Sequence, residues 1–303
     1  LPGEVLAIVS AFLWALSSTL VKSQSDKMPI VLINALRTIP ALLIYWGFLL
    51  VTGRIGEPFS LPLRSWAFLA GSTLIGLAIG DLLYFQSMKY IGLGRALPLS
   101  NVYPFFTMLL AFFLLDEQVG WGIVGGAMLI VGGAYMLAFP RGTRGISGGP
   151  AGRQAGHDLD LRGVTMALAA AVCWGTSTVL LRLGLENVPV PVANVIRLSI
   201  LAVILFGLAV RRNQLALVPT YFCKEGLPTL GVVLLAGIVG MTLGTFVFLA
   251  AVQRAGAART SILTAAMPIF GVPFSLVLGE RLTRRTVLGT MLTIGGVWLT
   301  IWQ

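Results

Sequence analysis

Asp81 is an acid set in the apolar run GSTLIGLAIGDLLYFQSM, whereas Glu4, Asp26, Glu57, Asp116, Glu117, Asp158, Asp160, Glu186, Glu225 and Glu280 all fall in or beside polar stretches. A carboxylate at the centre of a bilayer costs about 2.5 to 3.5 kcal/mol on insertion scales, so such a group is expected to face a wet cavity, a cation or a proton pathway. Asp81 is therefore a candidate both for holding a substrate and for proton coupling. The competing role is a packing acid, hydrogen-bonded to a serine, threonine or arginine. Two cations share its apolar setting. Arg37 and Arg197 each follow an asparagine by three residues, which puts Asn34 with Arg37, and Asn194 with Arg197, on single helix faces as polar patches. Such patches can bind a substrate carboxylate or latch a gate. Both arginines lie about two turns from a span end, and the expectation is that they snorkel to the interface or tie up carbonyls there.

Trp14 precedes Ser17 and Ser18, and Trp174 precedes Ser177 and Thr178. Both tryptophans lie near the middle of their apolar runs, away from the interfacial belt that Trp commonly joins. A cavity for an amphipathic solute needs broad apolar faces and a few hydroxyls to orient it. The candidate substrate-binding residues are accordingly Trp14, Ser17, Asp81, Tyr84, Trp174, Thr178 and Phe248, with Gln86, Asn101 and Tyr103 as further candidates. Tyr84, three residues after Asp81, shares its face.

The spans that must position these groups follow from composition. Hydrophobic residues make up 57% of the chain, charged residues 11%, and mean hydropathy is +0.92, more apolar surface than a soluble core of 303 residues can hold. Runs long enough to cross the hydrocarbon layer, about 20 residues each, fall near 5–22, 30–51, 66–88, 95–115, 119–139, 163–182, 191–210, 228–252, 257–278 and 285–302. The expected fold class is all-α: a polytopic membrane protein of ten transmembrane helices. The first span lacks a basic leader and is expected to remain as a crossing rather than be cleaved.

The chain also repeats itself. Trp14, Ser17, Pro29, Asn34 and Arg37 recur, in the same order and at the same spacing, as Trp174, Ser177, Pro189, Asn194 and Arg197. Gly76, Gly80, Gly92, Arg95 and Pro104 recur at a slightly larger offset as Gly240, Gly244, Gly256, Arg259 and Pro268, and Glu117 then meets Glu280. This divides the chain into a first five-helix repeat at 1–139, a polar linker at 140–162 and a second five-helix repeat at 163–303. Five is odd, so the second repeat is expected to enter the bilayer inverted, the arrangement of alternating-access carriers around a central cavity. Gly76 with Gly80, Gly240 with Gly244, and Gly122 with Gly126 are GxxxG pairs expected to let helices approach closely. Pro98, Pro104, Pro268 and Pro273 are expected to bend spans four and nine.

The net charge of +10 is spread over short loops and reads as orientation signal rather than nucleic-acid binding. Fourteen Lys and Arg in the odd-numbered loops against five in the even-numbered ones put both termini outside. Cys173 and Cys223 have no CxxC or neighbouring histidine, and no metal site is expected. A membrane enzyme acting on a lipid-linked substrate is the rival class, but it needs clustered acids, histidines or an activated nucleophile, and the sole histidine, His157, is in the linker. A channel needs a charged ring or carbonyl filter. The expectation is a non-enzyme without cofactor: a monomeric carrier whose partners are a small-molecule substrate, the lipid bilayer and a coupled proton, with no nucleic acid.

The segments AFLWALSSTLVK, NALRTIPA, GDLLYFQSMKYIG, RALPLSNVYPFFTMLLAFFLLDE and GGAMLIVGGAYML, echoed by CWGTSTVLLR, NVIRLSI, AAMPIFGVPFSLVLGERLT and GTMLTIGGVWLTI, resemble the EamA family of the drug/metabolite transporter superfamily over nearly the whole chain. The resemblance implies a ten-helix carrier of the cytoplasmic (inner) membrane with a central cavity, exporting amino acids, related metabolites or toxic amphiphiles. It also implies cytoplasmic termini, opposite to the charge count, and orientation stays open.

Overall fold

The computed structural model describes residues 1–24, 27–91, 96, 99–118, 120–138, 160–219, 226–267, 269–270 and 284–302. The expectations placed on the linker up to residue 159, and on Gly92, Arg95, Pro98, Cys223, Pro268, Pro273 and Glu280, lie outside these residues. Among the described residues there is no strand. The helices are α1 (Gly3–Gln24), α2 (Ile30–Val51), the short α3 (Glu57–Ser60), α4 (Leu63–Ser72) continuing through α5 (Asp81–Ile91), α6 (Tyr103–Leu115), α7 (Trp121–Ala138), α8 (Leu161–Gly184), α9 (Val190–Arg211), α10 (Gly226–Ala236) continuing through α11 (Thr245–Thr264), and α12 (Arg284–Ile301). Among the described residues six helical stretches are long and apolar enough to cross a bilayer, and Tyr103–Leu115, Trp121–Gly133 and Val287–Ile301 are shorter apolar helices. The protein is a polytopic, all-helical membrane protein.

Local chemistry sets the helix ends. Asp160 caps α8 by accepting from the Arg162 backbone N–H at 2.9 Å. Proline precedes both α2 and α9 (Pro29, Pro189), where its missing N–H costs nothing. The same two helices close identically. Gly53 and Asn213 take left-handed backbone (φ 69° and 52°), and Arg54 and Gln214 each donate back to a carbonyl five residues earlier, Leu49 and Ala209, at 2.8 Å. Gly53 and Asn213 stand in the same register as Arg37 and Arg197, so the sequence repeat extends to the way its second span ends.

The continuous helices α4–α5 and α10–α11 are each interrupted by a π-helical stretch, Thr73–Gly80 and Gly237–Gly244. The two stretches are equal in length and occupy equivalent positions, in the register that pairs Gly76 with Gly240. Neither was expected from composition. Gly256 (φ 82°, ψ 173°) breaks α11 close to the boundary expected between 252 and 257.

The halves pack by exchange. α1 lies against α10, α11 and the second π stretch, α8 lies against α4, α5 and the first, and α2 pairs with α9. Helices α7 and α12 cross on glycine: a Cβ at Gly133 would strike Gly289 and Thr293, one at Gly126 would strike Gly296 and Thr300, and one at Gly296 would strike Ile130. The main buried cluster joins Leu49, Leu69, Leu181, Ile196, Leu198 and Leu249, from both halves. Leu43, Phe113, Val203 and Trp298 instead lie on the outer surface, where a lipid-facing helix keeps its apolar side chains.

Candidate functional site

Each π stretch receives one serine and one tryptophan from the other half. Ser17 Oγ donates to the Ala236 carbonyl at 2.8 Å, and Ser177 Oγ donates to the Ser72 carbonyl at 2.7 Å. Beside them the GxxxG glycines make room. A Cβ at Gly240 would collide with Ser17 and one at Gly244 with Trp14, while Gly76 and Gly80 make room for Ser177 and Trp174 in the same way. The tryptophans then pack, tilted, against matching residues, Trp14 on Phe248 with ring centroids 4.8 Å apart and Trp174 on Tyr84 at 5.3 Å. Phe248 is the repeat counterpart of Tyr84, so every contact in this set has an equivalent in the other half.

The symmetry fails at the acid. Trp14 donates its indole N–H to the Gly240 carbonyl at 3.3 Å, but Trp174 donates to Asp81 Oδ1 at 2.9 Å. Thr245, the counterpart of Asp81, turns its hydroxyl back to the Met241 carbonyl. Tyr103 completes the surroundings of Trp174, edge-on with centroids 6.1 Å apart, and its hydroxyl donates to the Ser261 carbonyl at 3.0 Å. Asp81, Tyr84, Tyr103 and Trp174 thus form one cluster drawn from both halves. A half-buried carboxylate beside aromatic faces, with an indole donor fixing one oxygen, can hold a cationic group or exchange a proton.

The arginines correct one expectation: they do not snorkel. Arg37 turns inward, its Nη1 donating to Asn34 Oδ1 at 2.9 Å and its Nη2 to Ser17 Oγ at 3.0 Å. Arg197 is 6% exposed and donates through Nε to Ser72 Oγ at 3.3 Å. Snorkelling loses because Asn34, Ser17 and Ser72 supply acceptors inside the bundle, where an unpaired guanidinium would be costly. Asn194 does not pair with its arginine; its Nδ2 donates to Tyr45 Oη at 3.0 Å.

Two proposed lining hydroxyls are already engaged. Ser17 lies in the helix crossing between Ala236 and Arg37, and the Thr178 hydroxyl donates to the Trp174 carbonyl of its own helix at 3.0 Å. Phe248 is buried against Trp14. Asn101 Nδ2 points to the Ala265 carbonyl at 3.4 Å, and Gln86 is exposed. Sequence reasoning passed over Tyr45 and the Glu117 carboxylate. Tyr45 is one aromatic in the apolar run ALLIYWGFLL, and its partners, Asn194 and Thr242, belong to the other half of the chain. Glu117 accepts from the backbone N–H groups of Ala257 and Ala258 at 2.7 and 3.0 Å, and its alignment with Glu280 was the available signal.

Comparison with known proteins agrees with this architecture. An uncharacterized transporter of Archaeoglobus fulgidus is 24% identical over 231 residues, which span 76% of this chain and 74% of that protein. A second uncharacterized transporter, from the cobO 3' region of a Sinorhizobium species, is 28% identical over 134 residues, 44% of this chain and 93% of its own. A solved crystal structure with 19% identity shares the fold, with a TM-score of 0.75 over 99% of this chain and 96% of its own. The EamA-like transporter family matches residues 1–139 and 161–302, the two halves that exchange serine and tryptophan, and the chain belongs to that family.

Proposed function

We propose that the protein is a secondary carrier that exports amino acids or related small amphipathic metabolites across the cytoplasmic membrane by alternating access. In this reading residues 1–139 and 163–303 are inverted five-helix repeats joined by the linker 140–162, giving ten crossings in a single working chain. The observation that carries the reading is the reciprocal seating of Ser17 with Trp14 on Gly240 and Gly244, and of Ser177 with Trp174 on Gly76 and Gly80. Two like units that meet through equivalent contacts can rock about them without either unit refolding. The substrate site is centred on Asp81, Tyr84 and Trp174, with Trp14 and Phe248 as the opposing aromatic wall. Ser17 and Thr178 support that wall through their helices, and Asn34 with Arg37 forms the latch of the first half. Proton coupling falls to Asp81. The carrier needs no cofactor, metal or nucleic acid and performs no covalent chemistry.

The test is counterflow in proteoliposomes loaded with a panel of amino acids and cationic amphiphiles, with and without an imposed pH gradient. Saturable exchange with trans-stimulation is expected. Flux that does not saturate marks a channel, and modification of a lipid-linked substrate without flux marks an enzyme; either overturns the reading.

A further inference from the structure

The chain carries the pattern Asn-x-x-Arg twice, and the two copies end in opposite states. In the first, Asn34 Oδ1 accepts from Arg37 Nη1 at 2.9 Å, so the amide oxygen has its donor, although Arg37 Nε is buried without an acceptor. In the second, the pair is held apart. Tyr45 Oη donates to the Thr242 carbonyl at 2.7 Å, which leaves the phenol oxygen only its acceptor role, and Asn194 meets it with Nδ2 at 3.0 Å. The amide orientation is thereby decided, because a carbonyl oxygen facing that phenol would find no proton. Asn194 Oδ1 is left buried with no donor, in a residue that is 0% exposed. Arg197 makes no ion pair with any described residue, and Ser72 Oγ is the acceptor it reaches. The repeat counterpart of Tyr45 is Leu205, which has no hydroxyl, so the wedge exists in one half only.

A buried cation without an anion and a buried amide oxygen without a donor are each costly to leave unmet. Here they sit three residues apart on one helix face, with side chains about 5 to 6 Å apart at their bases. That spacing suits a group carrying both signs on adjacent atoms. We infer that Asn194 and Arg197 form the headgroup subsite for an α-amino acid, Arg197 taking the α-carboxylate and Asn194 Oδ1 the α-ammonium, with Tyr45 as the residue that keeps the subsite open. This rests on the carrier reading above and narrows its substrate class to free α-amino acids. The described conformation is closed over the subsite, and the headgroup enters when the halves rock apart. Asp81 remains a separate group, on α5.

The experiment uses the whole chain in proteoliposomes exchanging radiolabelled L-phenylalanine and, in parallel, each other proteinogenic amino acid. Competitors are phenethylamine, which lacks the carboxylate, and 3-phenylpropionate, which lacks the ammonium, in chloride and in gluconate buffers. Competition is expected from the intact amino acid and to be at least about tenfold weaker for both truncated analogues, the size of one lost charge-assisted contact. Tyr45→Phe frees Asn194 to close on Arg197, as Asn34 does on Arg37, and should weaken exchange about tenfold while keeping the folded protein's melting temperature. Arg197→Lys is the second variant, expected to lose carboxylate selectivity. If wild type exchanges amino acids but phenethylamine competes equally, or Tyr45→Phe exchanges like wild type, the subsite is wrong and the carrier reading stands. Dependence on chloride that disappears in Tyr45→Phe assigns the position to a free inorganic anion and overturns the headgroup. Exchange of cationic amphiphiles alone removes the subsite, and absence of any saturable exchange removes both readings.

Discussion

Asp81 and Trp174 show how one residue difference makes an otherwise symmetric frame asymmetric. The indole N–H that binds a carbonyl in one half binds a carboxylate in the other. A hydrogen bond to a charged group contributes about 1.5 to 3 kcal/mol. Trp174→Phe keeps the ring against Tyr84 but removes that donor. The expected result is a fall of about tenfold or more in counterflow efficiency with little change in melting temperature, whereas Trp14→Phe, which loses only a contact to a carbonyl, should cost less. Asp81→Asn should abolish accumulation driven by a pH gradient while leaving substrate exchange partly intact, measured in the same vesicles with and without the gradient. A mutant that still concentrates substrate would remove Asp81 from coupling. At this scale Asp81 was legible because an acid in an apolar run is conspicuous without knowing its neighbours. Tyr45 was not, since a tyrosine among leucines looks like packing until the Thr242 carbonyl and Asn194 are brought to it.

Helices are the scale at which the sequence reads best. The apolar runs expected at 30–51 and 191–210 are helices at Ile30–Val51 and Val190–Arg211, and the run expected at 66–88 extends to 63–91 because polar residues such as Arg64 ride on its end. The π stretches stayed hidden. They reflect backbone bonding that adapts to serines and tryptophans arriving from another helix, and Gly76 with Gly80 signals only that something comes close. The glycines of the α7–α12 crossing give a contrast within two adjacent positions. A Cβ at Gly133 meets Gly289 and Thr293, whereas one at Gly132 meets nothing within 4 Å. Gly133→Ala is expected to destabilise by about 1 to 3 kcal/mol through overpacking. Gly132→Ala should be neutral or stabilising by about 0.5 to 1 kcal/mol. Thermal unfolding of the two purified variants in one detergent measures the difference, and equal effects would remove the crossing from the account.

Across the whole molecule, Glu117 ties the loop after α6 to the start of the helix that follows Gly256. Its carboxylate caps two backbone N–H groups, and the left-handed glycine leaves space where a side chain would strike the carboxylate. Glu4 with Arg259 at 3.3 Å joins the same region to α1. Glu117→Ala is expected to cost about 0.5 to 2 kcal/mol, and Gly256→Ala to act through the same contact. The double variant should therefore cost less than the two singles added, as interacting sites do. Additive melting-temperature losses would show the two positions to be independent.

The exchange of serines and tryptophans between halves also bears on how the protein is made. When the ribosome has finished residue 139, Ser17 and Trp14 are already in the bilayer, but the glycines and carbonyls that receive them, Ala236 to Gly244, have yet to be translated. The first half must wait in the membrane with its polar contacts open, exposed to quality-control proteases or shielded by the insertion machinery. Expressed alone it should be degraded, and co-expressed as a separate chain with residues 163–303 it should be rescued to a stable pair.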